Sequence, residues 1–108
     1  MNAAVGKCDR LRKTTDEAAI IRCACGEGMI RIETWANEAG TVLRYNLAFI
    51  NHHLFQRDHG RVLGYDTAHG FPHRHYVGRV ENIDPAPYDV VYDRFIVEVA
   101  ELKKRRHL

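Results

Sequence analysis

The sequence predicts a small α+β domain: a mostly antiparallel β-sheet followed by one C-terminal amphipathic helix packed on one face. Two patterns carry this reading. Residues 29–35 and 42–50 alternate apolar and polar side chains with period two, the signature of half-buried strands. Residues 88–104 instead place Tyr92, Phe95, Ile96, Val99 and Leu102 at spacings of three and four, an apolar stripe along a helix. Strands that precede a single terminal helix form a sheet with the helix laid over it. A chain of 108 residues suffices for one domain. Its apolar share of 45% supports a core, though a modest one at this size. A partner or a homodimer could supply further burial.

Taken in order, residues 1–16 read as a flexible or edge-strand lead-in and residues 17–108 as the domain. Residues 17–25 form a plausible strand, and Gly26-Glu27-Gly28 turns it back into residues 29–35. There Ile30, Ile32 and Thr34 oppose Arg31, Glu33 and Trp35. Residues 37–40 are turn chemistry. In residues 42–50, Leu43, Tyr45, Leu47 and Phe49 share a face. A polar, histidine-rich loop spans residues 51–60, with His52 and His53 expected to be exposed. Residues 61–66 are a short strand, residues 67–72 a turn punctuated by Gly70 and Pro72, and residues 73–80 a returning strand. Pro85 and Pro87 close the sheet before the helix. Asp89 and Asp93 near the helix start and the basic run Lys103-Lys104-Arg105-Arg106 at its end suit the helix dipole.

The longest apolar stretches fall far short of the ~20 residues of a membrane helix, and residues 1–13 are too polar for a signal peptide. The expectation is a cytoplasmic protein with no membrane association. The odd cysteine count, Cys8, Cys23 and Cys25, argues against a disulfide framework. Cys23 and Cys25 read as buried reduced thiols on one strand face. Charge is unevenly distributed. Residues 41–80 hold five arginines, six of the seven histidines and only two aspartates, whereas residues 81–102 hold six acids and one arginine.

The chemistry-bearing segment is residues 61–75, which brings Asp66, Tyr65, Arg61, Arg74, His69, His73 and His75 together. Imidazoles exchange protons near neutrality. A neighbouring aspartate fixes their tautomer, and arginine forks suit phosphate oxygens. On a strand His73 and His75 share a face with Arg74 opposite. One reading makes His69, His73 and His75 acid and base on an RNA phosphodiester, with Arg61, Arg74 or Arg79 stabilising the developing charge. With the 2′-hydroxyl as nucleophile it requires no metal or other cofactor. A second makes His73 and His75 metal ligands, with Asp66 or His69. A third is structural, with Asp66 capping the turn through the amides of Thr67 and Ala68. A non-catalytic interaction module, docking through the acidic helix, is a further alternative. Trp35 and Tyr45 could stack on bases, although packing is the simpler role.

The string Arg61 … Tyr65-Asp66-Thr67-Ala68-His69-Gly70, then His73-Arg74-His75 and Gly78, resembles the TumE-type toxins of prokaryotic toxin–antitoxin operons. The Arg44-Tyr45 pair upstream and the acidic terminal helix fit the same pattern. Residues 1–16 and the long 51–60 loop depart from it. The resemblance implies a growth-inhibiting toxin neutralised by a helix-turn-helix, DNA-binding antitoxin, and suggests RNA as the substrate. The candidate catalytic set is then His69, His73, His75, Asp66, Arg61 and Tyr65, with Arg44, Arg74 and Arg79 binding substrate.

Overall fold

Alternating side chains make each strand two-faced, and hairpin connections line the like faces up. A computed structural model describes residues 10–68 and 70–108. Its strands are β1 (Arg12–Ile21), β2 (Gly28–Ala36), β3 (Val42–Ile50), β4 (Arg61–Ala68), β5 (Phe71–Tyr76) and β6 (Arg79–Asn82), and helix α1 spans Tyr88–Leu102. Every strand pairs antiparallel with its chain neighbours, giving a six-stranded meander in the order β1-β2-β3-β4-β5-β6. The α+β architecture is therefore as the sequence patterns predict.

The helix lies across β3 and β4. Tyr45, Leu47 and Phe49 of β3 and Leu63 and Tyr65 of β4 meet Val91, Phe95, Val99 and Leu102 of α1 in one core. The Tyr65 and Phe95 rings meet edge to face at 6.4 Å, a favoured aromatic geometry. The helix's C-terminal end is tied down as well, since the Ala24 amide donates to the Lys103 carbonyl at 2.8 Å. The buried stripe is rotated slightly from the expected one. Val91 is fully buried, whereas Ile96 is 37% exposed and Tyr92 half-buried, so the contact line runs through Val91, Phe95, Val99 and Leu102.

Several boundaries differ from expectation. The first strand starts at Arg12, inside the lead-in, and ends at Ile21. Cys23 and Cys25 accordingly sit in the β1–β2 connection, half-buried and free, rather than on a strand. Cys8 and His69 fall outside the described residues. The expected strand over residues 73–80 is two strands, joined by the hairpin turn Val77-Gly78 with φ of 50° and 81°. A two-residue hairpin needs such left-handed backbone, and a β-branched valine is an unusual residue for it. Residues 51–60 are anchored by Asn51, 1% exposed, whose side-chain oxygen accepts from the amides of His53 and Leu54 at 2.9 and 3.3 Å. His52 and His53 are exposed, as expected.

Candidate functional site

The face of the sheet away from α1 carries the polar half of the alternation. Across β4 and β5, Asp66 lies opposite His73 and Gly64 opposite His75. All three polar side chains therefore project from the open face.

The Asp66 carboxylate lies between both imidazoles and is bonded to one of them. Its Oδ2 lies 2.8 Å from His75 Nε2. Its Oδ1 faces His73 Nδ1 at 3.7 Å. That gap is too long for a hydrogen bond, and both atoms are buried without a partner among the described residues. Arg61 completes the cluster. Its Nη2 donates to His75 Nδ1 at 3.0 Å, its Nε to Asp58 Oδ2 at 2.9 Å, and its Nη1 lies 3.6 Å from Asp66 Oδ2. A guanidinium has no acceptor, so His75 Nδ1 here offers a lone pair and Nε2 carries the proton given to Asp66. The aspartate–imidazole pair thus has a fixed tautomer, with Arg61 capping its basic nitrogen.

Gly64 makes this arrangement possible. A Cβ there would stand 2.9 Å from Arg61 Cδ and 3.3 Å from the Leu47 carbonyl oxygen. The bare glycine lets the arginine stem cross the strand, which is one meaning of glycine within a strand. Sequence reasoning named Arg61 but passed over Gly64 and Asp58, although an isolated strand glycine was the available signal. Asp66 lies within β4 and spends its carboxylate on His75, so it does not act as a turn cap.

Two expected site residues point elsewhere. Tyr65 and Arg74 are opposite one another in the β4–β5 register and face α1. The Tyr65 phenol, fully buried, donates to Glu98 Oε1. Arg74 Nε reaches the Tyr65 hydroxyl at 3.2 Å, and its Nη2 pairs with Glu98 Oε2. Arg74 also contacts Glu81 at 3.3 Å and lies over the Tyr76 ring at 4.7 Å. Burial, with help from Glu98, pushes the Tyr65 phenol up to about 12. The hydrogen bond to Glu98 raises Arg74 still higher than usual. This trio joins helix to sheet, on the face opposite Asp66.

Arg44 is on the open face, one alternation beyond Asn46, with its guanidinium 4.5 Å from the Trp35 ring. Lys13 Nζ lies 5.1 Å from the same ring. Trp35 is thus engaged by two cations, while Tyr45 is buried against Tyr88 at 5.6 Å. Between Trp35 and Asp66 the face is neutralised internally. Glu33 pairs with Lys13 at 2.8 Å and Arg31 at 3.4 Å and accepts from Asn46 at 3.0 Å. The Lys13 hydrogen bond first, with Arg31 and Asn46 adding to it against burial, holds the Glu33 carboxyl down at about 2. Arg79 is exposed at the start of β6 and lines a hollow next to His75.

Among the described residues, no three His, Cys, Asp or Glu side chains are grouped to hold a metal ion. No helix among them is long and apolar enough to cross a membrane. Among the described residues, the open face thus groups a carboxylate bonded to one imidazole and facing a second, with an arginine laid against the bonded ring. No family model, curated protein or solved structure matches the chain.

Proposed function

We propose that the open face cleaves RNA without a metal, and that the chain is the toxin of a toxin–antitoxin pair acting in the cytoplasm. The observation that carries the reading is Asp66 bonded to His75 at 2.8 Å and facing His73 at 3.7 Å, with Arg61 3.0 Å from His75. The toxin assignment is supported by the resemblance of residues 61–78 to the TumE-type pattern.

The chemistry follows from the free positions. His73 Nε2 has no hydrogen-bond partner among the described residues, while Nδ1 is aimed at Asp66. A small approach would let Asp66 accept from Nδ1–H and fix the tautomer that leaves Nε2 free to accept a proton. His73 then takes the proton of a ribose 2′-hydroxyl. The 2′-oxygen attacks the adjacent phosphorus, the bond to the 5′-oxygen breaks, and a protonated His75 gives that oxygen its proton. The products are a 2′,3′-cyclic phosphate and a 5′-hydroxyl. Arg61 leaves His75 Nδ1 as substrate binds, which frees that nitrogen to take its proton from solvent, and the guanidinium charge beside the reacting phosphate favours the negative charge that builds there.

The test is incubation of the purified protein with total RNA in EDTA. Cleavage leaving cyclic phosphate ends is expected, with His73→Ala and His75→Ala each slower by ~10²-fold or more. Intact RNA alongside persistent growth arrest would sink the ribonuclease assignment. A non-catalytic docking role has one observation in its favour, the uncovered Val90 and Val97 on α1, 43% and 64% exposed. Harmless expression of the wild type, with a stable complex formed with the neighbouring gene product, would favour that reading. A helix-turn-helix protein encoded beside this one would support the toxin assignment.

A further inference from the structure

A hollow of about 440 Å³ opens beside His75, between the loop preceding β4 and the β5–β6 hairpin. Arg57, Arg61 and Arg79 line it against a single carboxylate, Asp58. That carboxylate is already taken by Arg61 Nε at 2.9 Å. Among the described residues neither Arg57 nor Arg79 makes an ion pair, so the wall retains uncompensated positive charge. Phe55 and Val77 supply apolar surface, which limits screening and strengthens the field inside. The approach is shaped by strained backbone. Asp58 and His59 are consecutive non-glycine residues in the left-handed region, with φ of 52° and 54°. Such strain persists where surrounding contacts hold it, and here Asp58 is held by Arg61.

Arginine forks around a concavity fit the oxygens of a phosphate group. Arg61 belongs both to this wall and to the Asp66–His75 pair. Its bond to His75 is cation to neutral acceptor, whereas its attraction to a phosphate would be cation to anion. We propose that the hollow binds a phosphate of the nucleic-acid backbone next to the scissile one, and that its arrival draws Arg61 off His75 Nδ1. This inference rests on reading the open face as an RNA site. Phosphate binding thereby uncovers the nitrogen that exchanges the proton, so that the site is armed only when substrate fills it.

The test uses the isotopically labelled full chain, with NMR signals from the arginine Nε–H groups and the His75 ring nitrogens. Two probes separate the sources of phosphate: inorganic phosphate, and a short DNA oligonucleotide that lacks the 2′-hydroxyl and so resists this cleavage. Both should shift the Arg57, Arg61 and Arg79 signals and move His75 Nδ1 away from its hydrogen-bonded position. The oligonucleotide should bind about tenfold more tightly or better, and Arg57→Gln with Arg79→Gln should cost about tenfold. Equal affinity for the two probes would assign the hollow to a free phosphate and overturn the backbone assignment. Unmoved His75 signals, or a double variant that binds like the wild type, would overturn the proposal. Cleavage is read separately: binding with intact RNA leaves the hollow standing and removes the ribonuclease, and cleavage without binding does the reverse.

Discussion

His75 stands directly opposite Gly64 on the β4–β5 ladder, yet its Nε2 reaches diagonally to Asp66, two residues along, at 2.8 Å. The diagonal leaves the space over Gly64 to Arg61, which closes on the other ring nitrogen at 3.0 Å. One missing side chain therefore lets an arginine and an aspartate grip the same imidazole.

Asp66→Asn should test that grip. A carboxamide puts an NH2 group where one carboxylate oxygen stood, so it cannot present an acceptor to both His75 Nε2 and His73 Nδ1. Cleavage of a fluorogenic RNA in EDTA is expected to fall ~10²-fold or more, with the thermal melt still cooperative. Unchanged turnover would remove Asp66 from the chemistry.

Gly64→Ala should act on the same pair from below. The new methyl group would crowd Arg61 Cδ at 2.9 Å and the Leu47 carbonyl oxygen at 3.3 Å. Overpacking of this kind costs about 1–3 kcal/mol, to be read from urea unfolding. The His75 Nδ1 resonance should also lose its hydrogen-bonded shift as Arg61 is displaced. A wild-type His75 spectrum in the alanine variant would show that Arg61 does not need the glycine.

Glu98→Gln separates the two faces. Arg74, its side chain only 21% exposed, would lose the carboxylate it pairs with. A charged hydrogen bond of this type contributes about 1.5–3 kcal/mol, so the urea midpoint should drop clearly. Turnover per folded molecule should not change, because Tyr65, Arg74 and Glu98 lie on the helix side. Lost cleavage with unaltered stability would return Arg74 to the substrate.

Stability should decline at both extremes of pH. Glu33 sits at about 2, below its usual 4.5, so its carboxylate favours the fold above that range. That contribution is lost as pH falls from 4.5 towards 2, and Glu33→Gln should be less stable than wild type at pH 7 with the difference closing in acid. Burial pushes Tyr65 and Tyr88 up to about 12, so the fold favours their neutral phenols. This contribution is complete below pH 10 and lost as pH rises from 10 to 12. Tyr88→Phe should flatten the alkaline decline. Urea midpoints across a pH series check both arms, and parallel wild-type and variant curves would contradict them.

Local pattern carried most of the architecture. Alternation in residues 29–35 and 42–50 marked strands that the structure contains, and the spacing from Tyr92 to Leu102 marked the helix. Local chemistry hides the β5–β6 hairpin: Gly78 suits the turn, but a β-branched valine at φ 50° is not a turn signal, and the run 73–80 looks continuous where two strands exist. Among the site residues, period-two alternation already placed His73 and His75 together and Arg74 opposite. The same alternation puts Tyr65 on the opposite face from Asp66.

Residue spacing by itself determined which side chains share a face wherever the strands run without a bulge, as in residues 63–66 and 73–75, whereas the register shift at Val62 brings Arg61 to the side of Asp66 against simple alternation. Spacing could not determine which face the helix would cover, since that depends on how distant segments meet. Only the tertiary structure decided that Tyr65 and Arg74 go to Glu98, while Asp66, His75 and Arg61 stay on the open side.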